Sequence, residues 1–211
     1  MNPLQERDVP YGDDWDSATH VAAWAEAADQ KRPWRSQIMD HIADRIAELP
    51  QNTRVLDLGS GPGVLAQRVF ERCPNLAGYT LLDFSEHMLA LSRNRLSAFP
   101  AASFVLANFK SDEWPTSVGG PFECVVSMQA VHELRHKRHA PRLYEQIHHI
   151  LTVPGLVMIC DHTPFDESAA SRALYMTEQE QRKALTDARL ENVGIDLSVN
   201  GLVLYVGERA A

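Results

Sequence analysis

The chain has 211 residues, 45% hydrophobic and 23% charged, which suffices for one α/β core and excludes a largely disordered segment. Lys plus Arg number 20 against 28 for Asp plus Glu, a formal charge of −8, so no nucleic-acid partner is expected and a small-molecule substrate is favoured. No apolar run reaches membrane-spanning length, and the opening Met1-Asn2-Pro3-Leu4 lacks the basic-then-apolar order of a signal peptide, so the expectation is a cytoplasmic protein with no membrane partner.

In chain order, helices are predicted over 17–30 and 33–48, where Ala22, Trp24 and Ala27, then Ile38, Ile42, Ile46 and Leu49, recur at helical spacing. Strands follow at about 53–58, 77–83, 102–107, 122–128 and 155–161, with helices near 63–73, 85–98 and 139–151 between them. Thr177 and Glu180 form a capping box that opens a helix to about Leu190. Asn200-Gly201 between the strand-like runs 194–199 and 202–206 predicts a hairpin. Short hydrophobic strands joined by helices imply a parallel sheet covered on both faces, with ligands bound beyond the strands' carboxyl ends. Cys73, Cys124 and Cys160 are odd in number and form no C-x-x-C pair, so buried free thiols are expected rather than disulfides or a zinc site.

The most informative stretch is Asp57-Leu-Gly-Ser-Gly-Pro-Gly63, a glycine turn between the strand ending near Leu58 and the helix opening near Val64. Glycines there permit positive φ and remove the Cβ atoms that would hold a ligand off the main chain, while the helix N-terminus favours a carboxylate or phosphate. The dinucleotide pattern G-x-G-x-x-G fails, because its third glycine would fall on Val64. Asp57 is instead a sensible neighbour for a cation, and S-adenosylmethionine combines a carboxylate with an ammonium and a sulfonium. Asp83 ends the next strand, 24 residues after Gly59, near the spacing at which an acid accepts from both ribose hydroxyls.

Loop and acid together resemble the class I S-adenosylmethionine-dependent methyltransferases of the small-molecule type, in VLDLGSGPG at 55–63 and LLDFSEHML at 81–89. The resemblance continues through FVLANF at 104–109, FECVVSMQAVHEL at 122–134, LTVPGLVMICDH at 151–162 and GLVLYVGER at 201–209. It implies a Rossmann-like, doubly wound, seven-stranded and mostly parallel sheet with a C-terminal antiparallel hairpin. Residues 1–50 would form a helical lid and 51–211 the cofactor-binding domain, within one structural domain overall. The implied cofactor is S-adenosylmethionine, with S-adenosylhomocysteine as product. Its expected contacts are Asp57, Gly59, Ser60, Gly61, Gly63, Asp83, Phe84, Asn108, Phe109, Ser127 and Met128. Asn108 departs from the family, which commonly carries an acid after the third strand; its amide can still bond adenine.

Methyl transfer requires alignment of the acceptor and exclusion of water, and a base where the acceptor is a hydroxyl. Candidate bases at the ends of the fourth and fifth strands are His132, Asp161 and His162, histidine fitting best near neutral pH. Tyr11, Trp15, Trp24, Trp34 and Arg35 in the preface are candidates for holding a flat acceptor, although packing the preface onto the sheet is an alternative use of these rings. Residues 132–136 also match the H-E-x-x-H signature of zinc proteases, but the following Lys-Arg-His-Ala-Pro run breaks the helix that this signature needs, so a short turn is expected and no metal. The reading is an enzyme that methylates O or N, with a non-catalytic S-adenosylmethionine binder and, behind it, a zinc hydrolase as alternatives. Monomer and homodimer both remain open, since no heptad face is present.

Overall fold

The computed structural model describes residues 7–210; residues 1–6 of the predicted preface, and residue 211, lie outside the described residues. Seven strands form one sheet in the order β3-β2-β1-β4-β5-β7-β6. They are β1 (Arg54–Leu58), β2 (Gly78–Asp83), β3 (Ala102–Leu106), β4 (Phe122–Met128), β5 (Leu151–His162), β6 (Glu191–Val199) and β7 (Leu202–Arg209). The first five are mutually parallel, and β7 runs antiparallel between β5 and β6. The order reverses between β1 and β4, which opens a crevice at their carboxyl ends where the glycine turn lies.

Eight α-helices surround the sheet among the described residues: α1 (Ala18–Lys31), α2 (Arg35–Ala47), α3 (Val64–Arg72), α4 (Glu86–Arg95), α5 (Trp114–Val118), α6 (Ala140–Ile150), α7 (Ala169–Leu174) and α8 (Glu178–Asp187). Alternate strand residues enter opposite cores. Val55, Cys124, Val126, Met158 and Cys160 pack against Ile38, Ile42 and Ile46 of α2 and Leu65 and Val69 of α3. Leu56, Val125, Val157 and Ile159 pack on the other face against Leu143 and Ile147 of α6 and Leu185 of α8. Each Val, Leu, Ile or Met among them, fully buried, contributes about 1.5–3 kcal/mol. Cys124 and Cys160 are buried free thiols as expected, whereas Cys73 is only half-buried at the end of α3.

Local signals act where the sequence places them. Ser17 and Ser85 cap α1 and α4 by accepting from His20 N–H and Met88 N–H. The Thr177–Glu180 capping box forms at α8, and Asn200 and Gly201, with φ of 48° and 80°, make the turn between β6 and β7. Other boundaries differ from the sequence reading. Helix 139–151 gives way directly to β5 at Leu151, four residues before the predicted strand, because Leu151 pairs with Phe122 before the register shifts around Pro154. β6 begins at Glu191 and β7 runs to Arg209, since pairing with neighbouring strands extends both. The short helices α5 and α7 carry too few residues to show a period.

The chain before α1 crosses the carboxyl ends of the strands. Asp8 pairs with Arg138, His139 and Lys110, and burial, which alone would raise its carboxyl pKa, is outweighed by the Lys110 and His139 contacts that lower it. Arg135 donates to Val9 O (3.0 Å) and Pro10 O (2.6 Å), and Ser85 Oγ donates to Trp15 O at 2.7 Å. Among the described residues no helix is long and apolar enough to cross a membrane.

Candidate functional site: a cavity over the glycine turn

The turn after β1 is held to the end of β2: Gly59 N–H and Ser60 N–H both donate to Leu82 O, at 2.8 and 3.1 Å. Gly59, Gly61 and Gly63 all have left-handed φ, between 55° and 74°. The first two differ in what surrounds them. A Cβ on Gly59 would collide with Ala130 Cβ and lie 3.2 Å from Phe109, whereas a Cβ on Gly61 would meet nothing within 4 Å. Gly59 is thus required by protein packing, while Gly61 borders open space.

Two carboxylates support the turn. Asp83 accepts from Gly61 N–H at 2.8 Å and from Ser85 N–H at 2.9 Å. Burial pushes its pKa up to about 6, against the opposing effect of those backbone donors. Asp57 is buried beneath the turn and accepts from Tyr79 Oη at 2.9 Å. Burial raises it to about 7, with Tyr79 opposing and Asp83 reinforcing the shift.

Over the turn lies a cavity of about 280 Å³. Strands β1 to β3 contribute Gly59, Ser60, Gly61, Asp83, Phe84 and Phe109; the end of β4 contributes Met128, Gln129, His132 and Glu133. Beyond β5 come His162 and Tyr175, and the preface adds Asp13, Trp15, Trp24, Arg32 and Arg35. Ser60 Oγ, Gln129 Oε1 and Trp15 Nε1 are buried and have no hydrogen-bond partner among the described residues. Such atoms suit a polar ligand, because a buried unpaired group otherwise costs about 1–3 kcal/mol.

At the far side of the cavity, Asp161 accepts twice from His132, at 2.7 Å from Nδ1 and 2.8 Å from the backbone N–H. The carboxylate therefore holds the Nδ1 proton and leaves Nε2 as the ring's acceptor when His132 is neutral. Burial lowers the proton affinity of His132, but Asp161, aided by Glu133, reverses this and leaves its pKa above the usual value. Burial acts to raise Asp161, and the charge and hydrogen bond of His132 more than offset it, holding the carboxyl low. His162 lies 2.9 Å from the Gln129 amide; burial lowers its pKa despite Asp161, and Arg32 and Arg35 add to that lowering.

The 132–136 segment is a turn, as its flanking residues implied. Val131–Leu134 form one 3₁₀ turn, which ends at Arg135 with φ 64°, so the two histidines do not share a helix face. His136 Nδ1 instead accepts from Arg138 N–H. Among the described residues no group of three or more His, Cys, Asp or Glu is placed to hold a metal ion.

Several residues singled out in the sequence lie outside the cavity lining. Asn108 Oδ1 accepts from Lys110 N–H (2.9 Å), stabilising the turn that carries Phe109. Ser127 Oγ donates to Leu58 O (2.9 Å), joining β4 to β1. Gly63 opens α3 over Ser92, and Asp57 borders only a smaller cavity beneath the turn. Trp34 packs against the α2–α3 core, and the Tyr11 ring centroid lies 5.9 Å from that of Phe84 and 5.1 Å from the Arg135 guanidinium carbon. Gln129, Glu133, Tyr175 and Arg32 were missed. Gln129 has φ 56°, which turns the chain off β4, and such strain in a non-glycine residue is visible only in three dimensions.

Residues 55–155 match the model of a methyltransferase domain. That segment therefore carries a methyltransferase domain, in keeping with the class I S-adenosylmethionine-dependent resemblance of its landmarks. A malonyl-[acyl-carrier protein] O-methyltransferase of Magnetococcus marinus is 30% identical over 103 residues, covering 46% of this chain and 37% of that protein. The chain thus spans well under half the length of that relative. Two solved structures share the fold. Human N-acetylserotonin methyltransferase in complex with S-adenosylmethionine superposes with a TM-score of 0.72 at 14% identity, over 93% of this chain and 58% of that one. An O-methyltransferase family protein from Burkholderia thailandensis gives 0.71 at 17% identity, over 99% and 66%. The methyltransferase family and the seven-stranded sheet anticipated from the landmarks are both borne out.

Proposed function

We propose that this chain transfers a methyl group from S-adenosylmethionine to an oxygen or nitrogen atom of a small-molecule acceptor. The observation that carries the reading is one cavity bordered by the open face of Gly61 and by His132, whose ring Asp161 holds from behind. The bound cofactor supplies an electrophilic methyl on a sulfonium. Gly59, Ser60 and Gly61 would accommodate its amino-acid end. Asp83 offers acceptors for ribose hydroxyls, and Phe84, Phe109 and Met128 offer apolar surface for adenine. Asp57, Gly63, Asn108 and Ser127 shape these walls from behind.

His132 is the base of the reading. Its Nε2 takes the proton of an acceptor hydroxyl, and Asp161 stabilises the imidazolium that results. His162, with its lowered pKa, stays neutral near pH 7 and orients polar groups together with Gln129. Asp161 acts through His132 and is a positioning residue. The segment from Asp8 to Arg32 roofs the cavity and excludes water, which is the work of a lid.

Calorimetric titration with S-adenosylmethionine and S-adenosylhomocysteine tests the cofactor, and a metabolite screen for methylated product tests turnover. Both ligands should bind with one-to-one stoichiometry. His132→Ala should lower kcat at least about 100-fold on a hydroxyl acceptor while leaving cofactor affinity within about twofold. Unaltered turnover would remove His132 from the mechanism, and cofactor binding with no product from any acceptor would favour a binder without catalysis.

A further inference from the structure

The carboxylates on the cavity wall already have partners. Asp83 accepts from two backbone N–H groups, Asp13 lies 3.0 Å from His20 Nε2, and Glu133 lies 3.2 Å from Arg135. Arg32 differs. Its guanidinium stands 5.7 Å from the Trp24 ring centroid and borders the cavity, yet it forms no ion pair or hydrogen bond with a carboxylate among the described residues. Trp15 meets Trp24 edge-on at 5.4 Å, so both aromatic rings line the same cavity as this cation. Arg35 borders the smaller cavity beneath the glycine turn as well, which puts it on the cofactor's side.

A guanidinium that borders a cavity and is ion-paired to no carboxylate among the described residues is complementary to an anion, and planar rings beside it suit a planar ligand. We propose that Arg32, Trp15 and Trp24 form the acceptor subsite, and that the acceptor is an aromatic carboxylic acid bearing a hydroxyl or amino nucleophile. This rests on the methyltransferase reading above. The carboxylate binds Arg32 and the ring lies against the tryptophans, with the nucleophile directed to the His132 side. For a phenolic acceptor, oxygen bonds the methyl carbon as the carbon–sulfur bond breaks. The bonding pair stays on sulfur, and the phenol proton passes to His132 Nε2.

The test uses the full chain saturated with S-adenosylhomocysteine. It is titrated with hydroxybenzoates, aminobenzoates, hydroxyphenylacetates and indole carboxylates, each paired with its carboxamide. At least one acid should bind about tenfold or more tightly than its amide. Arg32→Gln should abolish that preference, Arg32→Lys should retain part of it, and affinity for S-adenosylhomocysteine should stay within about twofold in both. No acid preferred over its amide across the panel overturns the proposal. So does an Arg32→Gln variant whose loss falls on S-adenosylhomocysteine, since Arg32 would then serve the cofactor. If the wild type binds neither S-adenosylmethionine nor its product, the methyltransferase reading itself fails and the subsite falls with it. Intact cofactor binding without acid preference removes the subsite alone.

Discussion

Placing alanine at Gly59 and at Gly61 separates packing from ligand approach. Both positions have left-handed φ, 70° and 55°, so either alanine costs about 1–2 kcal/mol in backbone strain. Only Gly59→Ala adds a collision, because its Cβ would overlap Ala130 Cβ and press on Phe109 at 3.2 Å. Ala130 is anchored between β4 and the 3₁₀ turn and cannot retreat without moving both, so overpacking adds about 1–3 kcal/mol. Gly59→Ala should therefore lose about 2–5 kcal/mol and Gly61→Ala about 1–2. In a chain of this size each kcal/mol lowers Tm by roughly 2–4 °C, so differential scanning calorimetry resolves the two variants. Affinity for S-adenosylmethionine should show a different pattern. Gly61→Ala stays folded but sets a methyl in the space proposed for the cofactor, and should weaken binding at least about tenfold by titration calorimetry. Wild-type affinity in a folded Gly61→Ala protein would refute the placement of the cofactor, and equal stability of the two variants would refute the packing argument.

Asp161→Asn removes the charge that raises His132, so the imidazole pKa should move down, read from the histidine resonances in a ¹³C-resolved NMR titration. A base must be neutral to act, so the acidic limb of the kcat profile should shift to lower pH while kcat itself falls; a limb that stays in place or moves up contradicts the assignment. Tyr79→Phe strands the buried Asp57 carboxylate and should cost about 1–3 kcal/mol in urea unfolding. The sign with pH follows from the folded pKa of about 7 against a usual 3.8: ionising Asp57 costs stability, absent below about pH 4 and complete above pH 7. Loss of the Tyr79 donor raises that pKa further, so the variant should be destabilised more at pH 8 than at pH 5, and an equal loss at both would show that Asp57 does not carry the effect.

Local sequence signals suffice for the strand and helix order and for the glycine-turn side of the cavity. Hydrophobic runs bounded by turn signals placed the strands, and the three glycines, Asp83 and the Asn200–Gly201 turn are local devices whose chemistry is readable from neighbours a few residues away. Groups brought together from distant segments depend instead on the folded chain. His132 and Asp161 are 29 residues apart and meet because β4 and β5 are adjacent parallel strands whose ends coincide. Gln129 and Tyr175 reach the cavity through a strained backbone and a short helix that carry no period, and Arg32 reaches it because α1 ends above the strand ends. Asn108, Ser127 and Trp34 illustrate the converse: each has suitable chemistry, but a backbone partner or the core occupies it. Local pattern reports what a segment will form; which side chains share one cavity depends on strand order, and that is a property of the whole sheet.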